Sequence, residues 1–156
     1  MMKIYRTKDK LLTVADDMSE GSWVCLTAPT ESEVRRVAAT LDIEPSDLFA
    51  ATDPEESARI SLEDGYTVII VDIPYQIPGS DQGVYSTIPM GILLTQELVV
   101  TVCSVDTPVI GDFSSCRVKG FSTRKKMRFV YQLLYRAATV YQQELRLIDR
   151  RRQALE

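Results

Sequence analysis

The residue types that most often carry chemistry are scarce or scattered in this sequence. It contains no histidine, which removes the usual general base, the commonest metal ligand and any Ser–His or Cys–His nucleophile pair. The sequence has an odd number of cysteines, and no two of them have Cys-x-x-Cys spacing: they are Cys25, Cys103 and Cys116. This argues against a disulfide framework and a structural zinc site. Neither a phosphate-binding glycine loop nor paired carboxylates in an evident cleft can be found. The sequence therefore argues against an enzyme and favours a reducing compartment.

Basic residues gather towards the carboxy terminus. Residues 117–156 hold 11 Lys/Arg against 3 Asp/Glu, whereas residues 1–116 hold 7 against 19. The acidic body would repel nucleic acid and attract cations, and the basic tail could meet an acidic partner, an anionic membrane or nucleic acid. Its runs RKK at 124–126 and RRR at 150–152 could bind phosphate, RNA or lipid headgroups. Because no aromatic residues interleave with them, we interpret both runs as solvated or inter-subunit charge and predict no nucleic-acid partner.

Length and composition suit one globular unit. A chain of 156 residues can bury roughly two-thirds of the surface that its unfolded form exposes. The amino terminus lacks the apolar core of a signal peptide, and no apolar run approaches the roughly 20 residues that cross a bilayer. We expect the chain as given to be soluble, with a compact domain at residues 1–120 and an extension at residues 121–156.

Three short β-like segments open the chain, at residues 3–7, 11–15 and 22–28. Trp23 lies in the third segment and is most simply a core anchor. Cys25, and Cys103 further along, alternate with apolar residues, so we predict that both are small buried side chains.

A helix is predicted over residues 30–41. Thr30 and Glu33 have the spacing of a capping box, in which each side chain accepts a hydrogen bond from the other residue's amide. Apolar residues recur behind them at steps of three and four, so one face of the helix must be buried. Residues 42–61 then indicate a turn, a short helix and another turn.

The rest of the body predicts strands. Residues 66–73 include an unbroken apolar run, which suits a strand covered on both faces, and we place it at the centre of the sheet. Residues 74–85 are rich in Pro and Gly and predict a surface loop. Residues 88–94 and 98–103 predict a hairpin. Strands mingled with helices indicate an α/β or α+β sandwich with a mixed sheet.

The last part of the chain reads as one long helix with an apolar seam. About 35 helical residues would measure roughly 50 Å, whereas a compact domain of this size is about 40 Å across. The overhang predicts self-association or a continuation of the chain, and the absence of a C-cap favours the continuation. The alternative is a terminal helix packed wholly on its own domain. The seam consists of Met127, Val130, Leu134, Ala137, Tyr141, Leu145 and Ile148.

Several segments, in this order and spacing, resemble one known family. They are a tryptophan strand before Pro29 and Thr30, a helix ending in LDIEP, a DPEE…R…EDGY segment leading into an apolar strand, and the strand LVVTV. Across nearly the whole chain, this order is similar to the amino-terminal cytoplasmic domain of the CorA-type divalent cation transporters.

The resemblance implies an α/β/α sandwich followed by a long stalk helix and two membrane helices with a Gly-Met-Asn loop. Members are homopentamers that carry Mg²⁺, and in some cases Co²⁺, Ni²⁺ or Zn²⁺, across the inner membrane. No Gly-Met-Asn occurs in this sequence, so we expect the chain to stop inside the stalk. The implied role is a regulatory and scaffold domain on the cytoplasmic face of that membrane, with no required cofactor and a divalent cation as regulatory or transported ion.

The sequence departs from the family at the regulatory metal site. A pair of acids that follows the Ile-x-Pro turn in well-studied members falls here on Phe49 and Ala50. Neither side chain can bind Mg²⁺, which prefers oxygen ligands, so we expect no regulatory site in the usual place. The alternative to a replacement site is a solvated helix start whose acids favour the positive end of the helix dipole. Candidate replacement carboxylates are Asp53, Glu55, Glu56 and Asp64.

Two functions from different classes fit these observations. One is the cytoplasmic domain of a divalent cation transporter that is pentameric when complete and associates more weakly as this fragment. The other is a free-standing soluble module that oligomerises through its carboxy-terminal helix without any transport role.

Overall fold

The computed structural model describes residues 1–80 and 84–156. These residues form one sheet and four helices, α1 to α4. The strands β1 to β7 are Met2–Lys8, Leu11–Val14, Ser22–Thr27, Arg59–Leu62, Tyr66–Gln76, Tyr85–Thr95 and Val99–Cys103. The helices are Glu31–Leu41, Pro45–Ala50, Pro108–Ser114 and Lys126–Leu155.

The sheet has the strand order β2-β1-β3-β7-β6-β5-β4. Strands β3 and β7 run parallel, and the other neighbouring pairs are antiparallel. The predicted mixed sheet and the hairpin of β6 and β7 are therefore confirmed. The central position predicted for residues 66–73 is wrong, because β7 occupies the middle and β5 lies next to the edge strand β4. The side chains of β5 are apolar because helices cover both faces of the sheet at this strand, and not because the strand is central.

Helices cover both faces of the sheet, as an α/β/α sandwich requires. Helices α1 and α2 pack on one face, where Val37 and Leu48 meet strand residues such as Val100. Helices α3 and α4 pack on the other, where Phe113 and Phe129 surround Trp23. This arrangement confirms the predicted fold class.

The predicted core residues of β3 are buried. Trp23 is fully enclosed, and its indole Nε1 donates a 2.8 Å hydrogen bond to Thr101 Oγ1 on β7. Cys25 and Cys103 are also buried, and burial raises the pKa of both thiols. Both cysteines therefore act as small core side chains, as predicted.

Helix α1 begins with the predicted capping box. The Thr30 hydroxyl accepts a hydrogen bond from the Glu33 amide at 3.2 Å, and the Glu33 carboxylate accepts one from the Thr30 amide at 2.9 Å. The same carboxylate accepts from the Met2 amide at 2.8 Å and pairs with the amino terminus at 3.2 Å. These contacts, the Thr30 amide foremost, lower the pKa of Glu33. Glu33 thus joins α1 to the start of β1.

Two stretches that the sequence assigned to turns and loops contain strand. Residues 59–62 form the edge strand β4, which pairs with β5 from Arg59–Ile70 to Leu62–Thr67. The prediction missed it because β4 has only four residues and its two apolar side chains, Ile60 and Leu62, lie on the exposed face of an edge strand. Strands β5 and β6 also extend into the loop predicted at residues 74–85, and residues 81–83 of that loop lie outside the described part.

Helix α2 lies very close to the sheet at Gly91. A Cβ atom at Gly91 would stand 2.6 Å from the Cβ of Ala51, the residue that ends α2. Only a residue without a side chain fits there, so Gly91 sets the distance between α2 and β6.

We expect Gly91→Ala to destabilise the fold by about 1–3 kcal/mol, because the added methyl group overpacks a contact that cannot give way. Urea unfolding followed by tryptophan fluorescence measures this loss. Gly111→Ala is the matched control, since a Cβ at Gly111 meets nothing within 4 Å. Alanine should stabilise α3 by up to about 1 kcal/mol, and equal stability of Gly91→Ala and wild type would contradict the close packing of α2.

Candidate metal-binding and oligomerisation surfaces

Residues 42–64, here called the acidic segment, contain eight Asp/Glu and a single basic residue, Arg59. The segment runs from the end of α1 through α2 and β4 to the turn before β5. Because so many like charges lie close together, this side of the domain carries a negative potential that attracts cations.

Tyr66 on β5 fixes the start of α2. Its hydroxyl donates a 2.6 Å hydrogen bond to Asp47 Oδ2 and accepts a 3.1 Å hydrogen bond from the backbone amide of Glu44. Glu44 is the N-cap residue of α2, and its own side chain makes no capping hydrogen bond. Burial, followed by the hydrogen bond to Asp47, raises the pKa of Tyr66 to about 12. The Asp47 carboxylate therefore helps to hold the start of α2 against β5.

The four predicted metal ligands lie in two turns and have different surroundings. Asp53 Oδ1 accepts a 3.0 Å hydrogen bond from the Glu55 amide, and Glu56 Oε1 pairs with Arg59 Nε at 3.0 Å. In residues 1–80 and 84–156, no three acidic or cysteine side chains stand close enough together to hold a metal ion. One subunit brings no three of these carboxylates together, so a site with three protein ligands among Asp53, Glu55, Glu56 and Asp64 would need at least one from another chain. With fewer protein ligands, waters would complete the coordination of Mg²⁺.

Phe49 and Ala50 lie on the last turn of α2. Phe49 packs against the core and lines a shallow depression of about 230 Å³. This depression lies where α1 and α2 meet the loops after β3 and β7. Its lining consists of Ala28, Pro29, Val34, Phe49, Thr52 and Ser104. At the position where the family resemblance implies acids, this chain therefore has an apolar contact within the subunit.

The predicted seam of α4 divides into a covered and an uncovered part. Val130 and Ala137 are buried against the domain's own sheet, and Leu134 is partly buried. Sequence reasoning missed Phe129, Leu133 and Val140, which complete the buried stripe. From Val130 through Leu133 and Ala137 to Val140 the buried stripe follows steps of three, four and three, so the predicted period is right and the stripe lies to one side of the predicted seam, which passes through Leu134 and Tyr141.

The second half of α4 lies beside the ends of β5 and β6 but is largely exposed, and Tyr141, Leu145 and Ile148 line a pocket with Pro74 and Tyr85. After Val140, every side chain is exposed except that of Glu144, which is partly exposed. Fifteen helical residues, 141 to 155, measure about 22 Å. Of the predicted seam, Tyr141, Leu145 and Ile148 are 40%, 51% and 45% exposed and are available to a partner. Met127 is 69% exposed and lies away from this part.

Met127 of the predicted seam belongs to a second exposed row on α4, whose other two members, Tyr131 and Tyr135, were not predicted. Met127, Tyr131 and Tyr135 are 69%, 69% and 67% exposed. Their spacing of four places them on one side of the helix, and this spacing was the signal available in the sequence. Large side chains at such exposure add to the surface that α4 offers a partner.

Comparisons with known proteins agree on one family and fold. A family model described as CorA-like Mg²⁺ transporter protein matches residues 19–156. No curated protein matches the chain. Solved structures match over nearly the whole chain, and the similarity in each is one of fold, because the sequence identities are below a fifth.

Three solved structures illustrate the match. The complete CorA magnesium transporter from Methanocaldococcus jannaschii is similar over 99% of this chain, with a TM-score of 0.80 and 17% identity. The soluble domain of CorA from the same organism gives a TM-score of 0.80 at 18% identity, also over 99% of this chain. The ZntB cytoplasmic domain from Vibrio parahaemolyticus gives 0.71 at 11% identity over 95% of this chain.

The chain is shorter than these proteins. It spans 50% of the complete transporter and 62% of each of the other two chains. Within residues 1–80 and 84–156, no helix is both long enough and apolar enough to cross a membrane.

We expect Tyr66→Phe to lower the free energy of unfolding at pH 7 by about 1–2 kcal/mol, because Glu44 and Asp47 lose their hydrogen-bond partner. The effect should depend on pH. Folding raises the pKa of Tyr66 from 10.0 to about 12, so the folded state holds this proton more tightly than the unfolded chain. The hydroxyl's contribution is complete below pH 10 and is lost as the pH rises towards 12.

Chemical denaturation of wild type and Tyr66→Phe between pH 7 and pH 11.5 tests this. The stability difference should shrink above pH 10. Tyr131→Phe is the control, because this exposed hydroxyl makes no hydrogen bond within the described residues. A difference that stays constant up to pH 11.5 would contradict the role given to the Tyr66 proton.

Proposed function

Because the chain belongs to the family of CorA-like Mg²⁺ transporter proteins, we propose that it is the cytoplasmic regulatory and scaffold domain of a divalent cation transporter or channel. The family match over residues 19–156 carries this proposal, and it confirms the resemblance found in the sequence. Membership in a family of transporters also fits the prediction that the chain is not an enzyme.

The ion we propose is Mg²⁺, with Co²⁺, Ni²⁺ or Zn²⁺ as alternatives. The negative potential of the acidic segment supports a divalent cation as the ligand on that side of the domain. Mg²⁺ prefers oxygen ligands and keeps several of its waters. Exposed carboxylates such as Glu55 and Asp64 are suited to such partly hydrated ions.

We propose that a regulatory ion, where one binds, lies between subunits. Asp53, Glu55, Glu56 and Asp64 do not form a site within one chain, yet they lie on exposed turns that a neighbouring subunit can approach. Two chains can then supply the oxygen ligands that one chain lacks.

The complete protein is proposed to be a homopentamer at the inner membrane. The largely exposed end of α4, where Tyr141, Leu145 and Ile148 are only partly covered, supports a contact with other subunits or with further parts of the same protein. The difference in length from the complete M. jannaschii transporter supports membrane helices outside residues 1–156. We place this domain on the cytoplasmic face.

Transport by the complete reading frame tests the proposed function. We expect the full-length protein in proteoliposomes to admit Mg²⁺ down its gradient, detected with an enclosed fluorescent indicator, and empty liposomes to show only slow leakage. A reading frame without apolar segments long enough to cross a bilayer would contradict the proposal and favour the soluble interaction module.

Calorimetric titration tests the replacement metal site. We expect Mg²⁺, Co²⁺ or Zn²⁺ to give saturable heats with wild type that fall at least several-fold in the double variant Asp53→Asn/Glu56→Gln, because two charged oxygen ligands are lost. The titration is made at a protein concentration where light scattering detects self-association, since the site is expected between subunits.

Asp16→Asn/Asp17→Asn serves as the control, because it removes two exposed acids outside the acidic segment. Equal heats from wild type and the Asp53/Glu56 variant would end the idea of a replacement site on these residues. They would leave the proposed transport function standing.

A further inference from the structure

A cavity of about 910 Å³ lies between the β1–β2 turn and the segment that connects α3 to α4. Six of the side chains that line it are cationic and one, Asp9, is acidic. We call it the basic cavity. The cations are Lys8, Lys10, Lys119, Arg124, Lys125 and Arg128.

The charges of the basic cavity are not balanced by the protein. None of the six cations forms an ion pair within residues 1–80 and 84–156, although the chain has 22 acids and a net charge of −4. Gathering like charges in one place opposes folding. An anion bound among them would offset that repulsion.

The walls of the cavity are fixed to each other by a pair of buried threonines. The Thr7 amide donates a 2.8 Å hydrogen bond to Thr123 Oγ1, and the Thr123 amide donates a 3.0 Å hydrogen bond to Thr7 Oγ1. Arg124 Nε also donates to the Thr7 carbonyl at 3.2 Å. Because these bonds join the end of β1 to the segment before α4, Lys8 and Arg124 keep fixed positions on adjoining walls.

Gly120 places the guanidinium of Arg128. The glycine has a φ of +70°, and a Cβ atom on it would stand 2.6 Å from Arg128 Nη2. The connecting segment therefore runs directly against the Arg128 side chain. A larger residue at this position would adopt a strained positive φ and would require the Arg128 guanidinium to move.

The remaining lining suits an organic anion. Leu12, Val118 and Phe121 give the cavity an apolar part, and Phe121 is held by an edge-to-face contact with Phe113 and a tilted ring contact with Phe129. Small-molecule sites commonly combine apolar walls with a few polar groups and measure about 300–1,000 Å³. The amino end of α4 lies on the same wall and adds the positive end of the helix dipole. The side chain of its N-cap residue, Lys125, makes no capping hydrogen bond.

We propose that the basic cavity binds a small polyphosphate anion of the nucleoside triphosphate class. The excess of five positive charges over Asp9 matches the roughly four negative charges that a triphosphate carries, and the apolar part is suited to a base. Lys125 is the N-cap of α4 and Arg128 lies in its first turn. Occupancy therefore acts on the start of the helix whose far end is exposed.

Titration calorimetry with ATP, inorganic triphosphate and adenosine tests the proposal, each without and with Mg²⁺. We expect wild type to bind both phosphate compounds and not adenosine. The double variant Lys10→Gln/Lys119→Gln should bind at least tenfold more weakly, because it removes two cations from the cavity. Both side chains are exposed, so the fold should be kept, and a thermal unfolding scan verifies this.

Arg146→Gln/Arg150→Gln is the matched control, since it removes the same charge from the exposed end of α4 and should leave the affinity unchanged. Tighter binding of ATP than of triphosphate supports a base in the apolar part, and equal binding would contradict the nucleoside class of the ligand. Equal losses in both double variants, or no binding of either phosphate compound by wild type, would overturn the proposal. So would binding to phosphoinositide vesicles without binding to either soluble anion.

Discussion

The parallel pairing of β3 with β7 is the contact on which the rest of the structure depends. It joins two antiparallel units, β2-β1-β3 and β7-β6-β5-β4, into one sheet, and all residues of β7 and nearly all of β3 are buried there. The hydrogen bond from Trp23 to Thr101 crosses this junction. Because a parallel connection needs a long crossover, the chain between the two strands supplies α1 and α2, which cover one face. Helices α3 and α4 cover the other face.

This division of the sheet also separates charge. The acidic segment belongs to the layer of α1 and α2, while the basic cavity opens beside the start of α4 in the other layer. At physiological ionic strength, surface charges more than about 8 Å apart are largely screened from each other. Each region can therefore attract its own class of ion, so a net charge of −4 describes neither region.

Local signals in the sequence predicted most of the fold. The spacing of Thr30 and Glu33 predicted the start of α1, and the apolar run of β5 predicted a strand covered on both faces. Features that depend on distant pairings were not predictable in this way. The position of β5 beside the edge follows from the pairing of the four-residue strand β4, whose own pattern is weak. The close approach at Gly91 appears only once α2 is placed on the sheet.

The same limit applies to the candidate sites. The basic runs were visible in the sequence, but the meeting of Lys8 and Lys10 with residues 119–128 depends on the bonds between Thr7 and Thr123, which are 116 positions apart. On α4, heptad-like spacing could not show where the buried stripe ends. Val130 and Ala137 are buried by their own subunit, whereas Leu145 and Ile148 lie beside the ends of β5 and β6 and are only about half covered.

Helix α4 can work as a lever. Its first half is packed in the core, whereas its second half lies beside the ends of β5 and β6 and is largely exposed, so the helix can pivot near Val140, where the buried stripe ends. The thirty residues measure about 45 Å, and a tilt of about 5° at the base would displace the far end by about 4 Å. A small change in the tilt of α4 at its amino end would thus cause a larger displacement at its carboxy end and at any surface in contact with it.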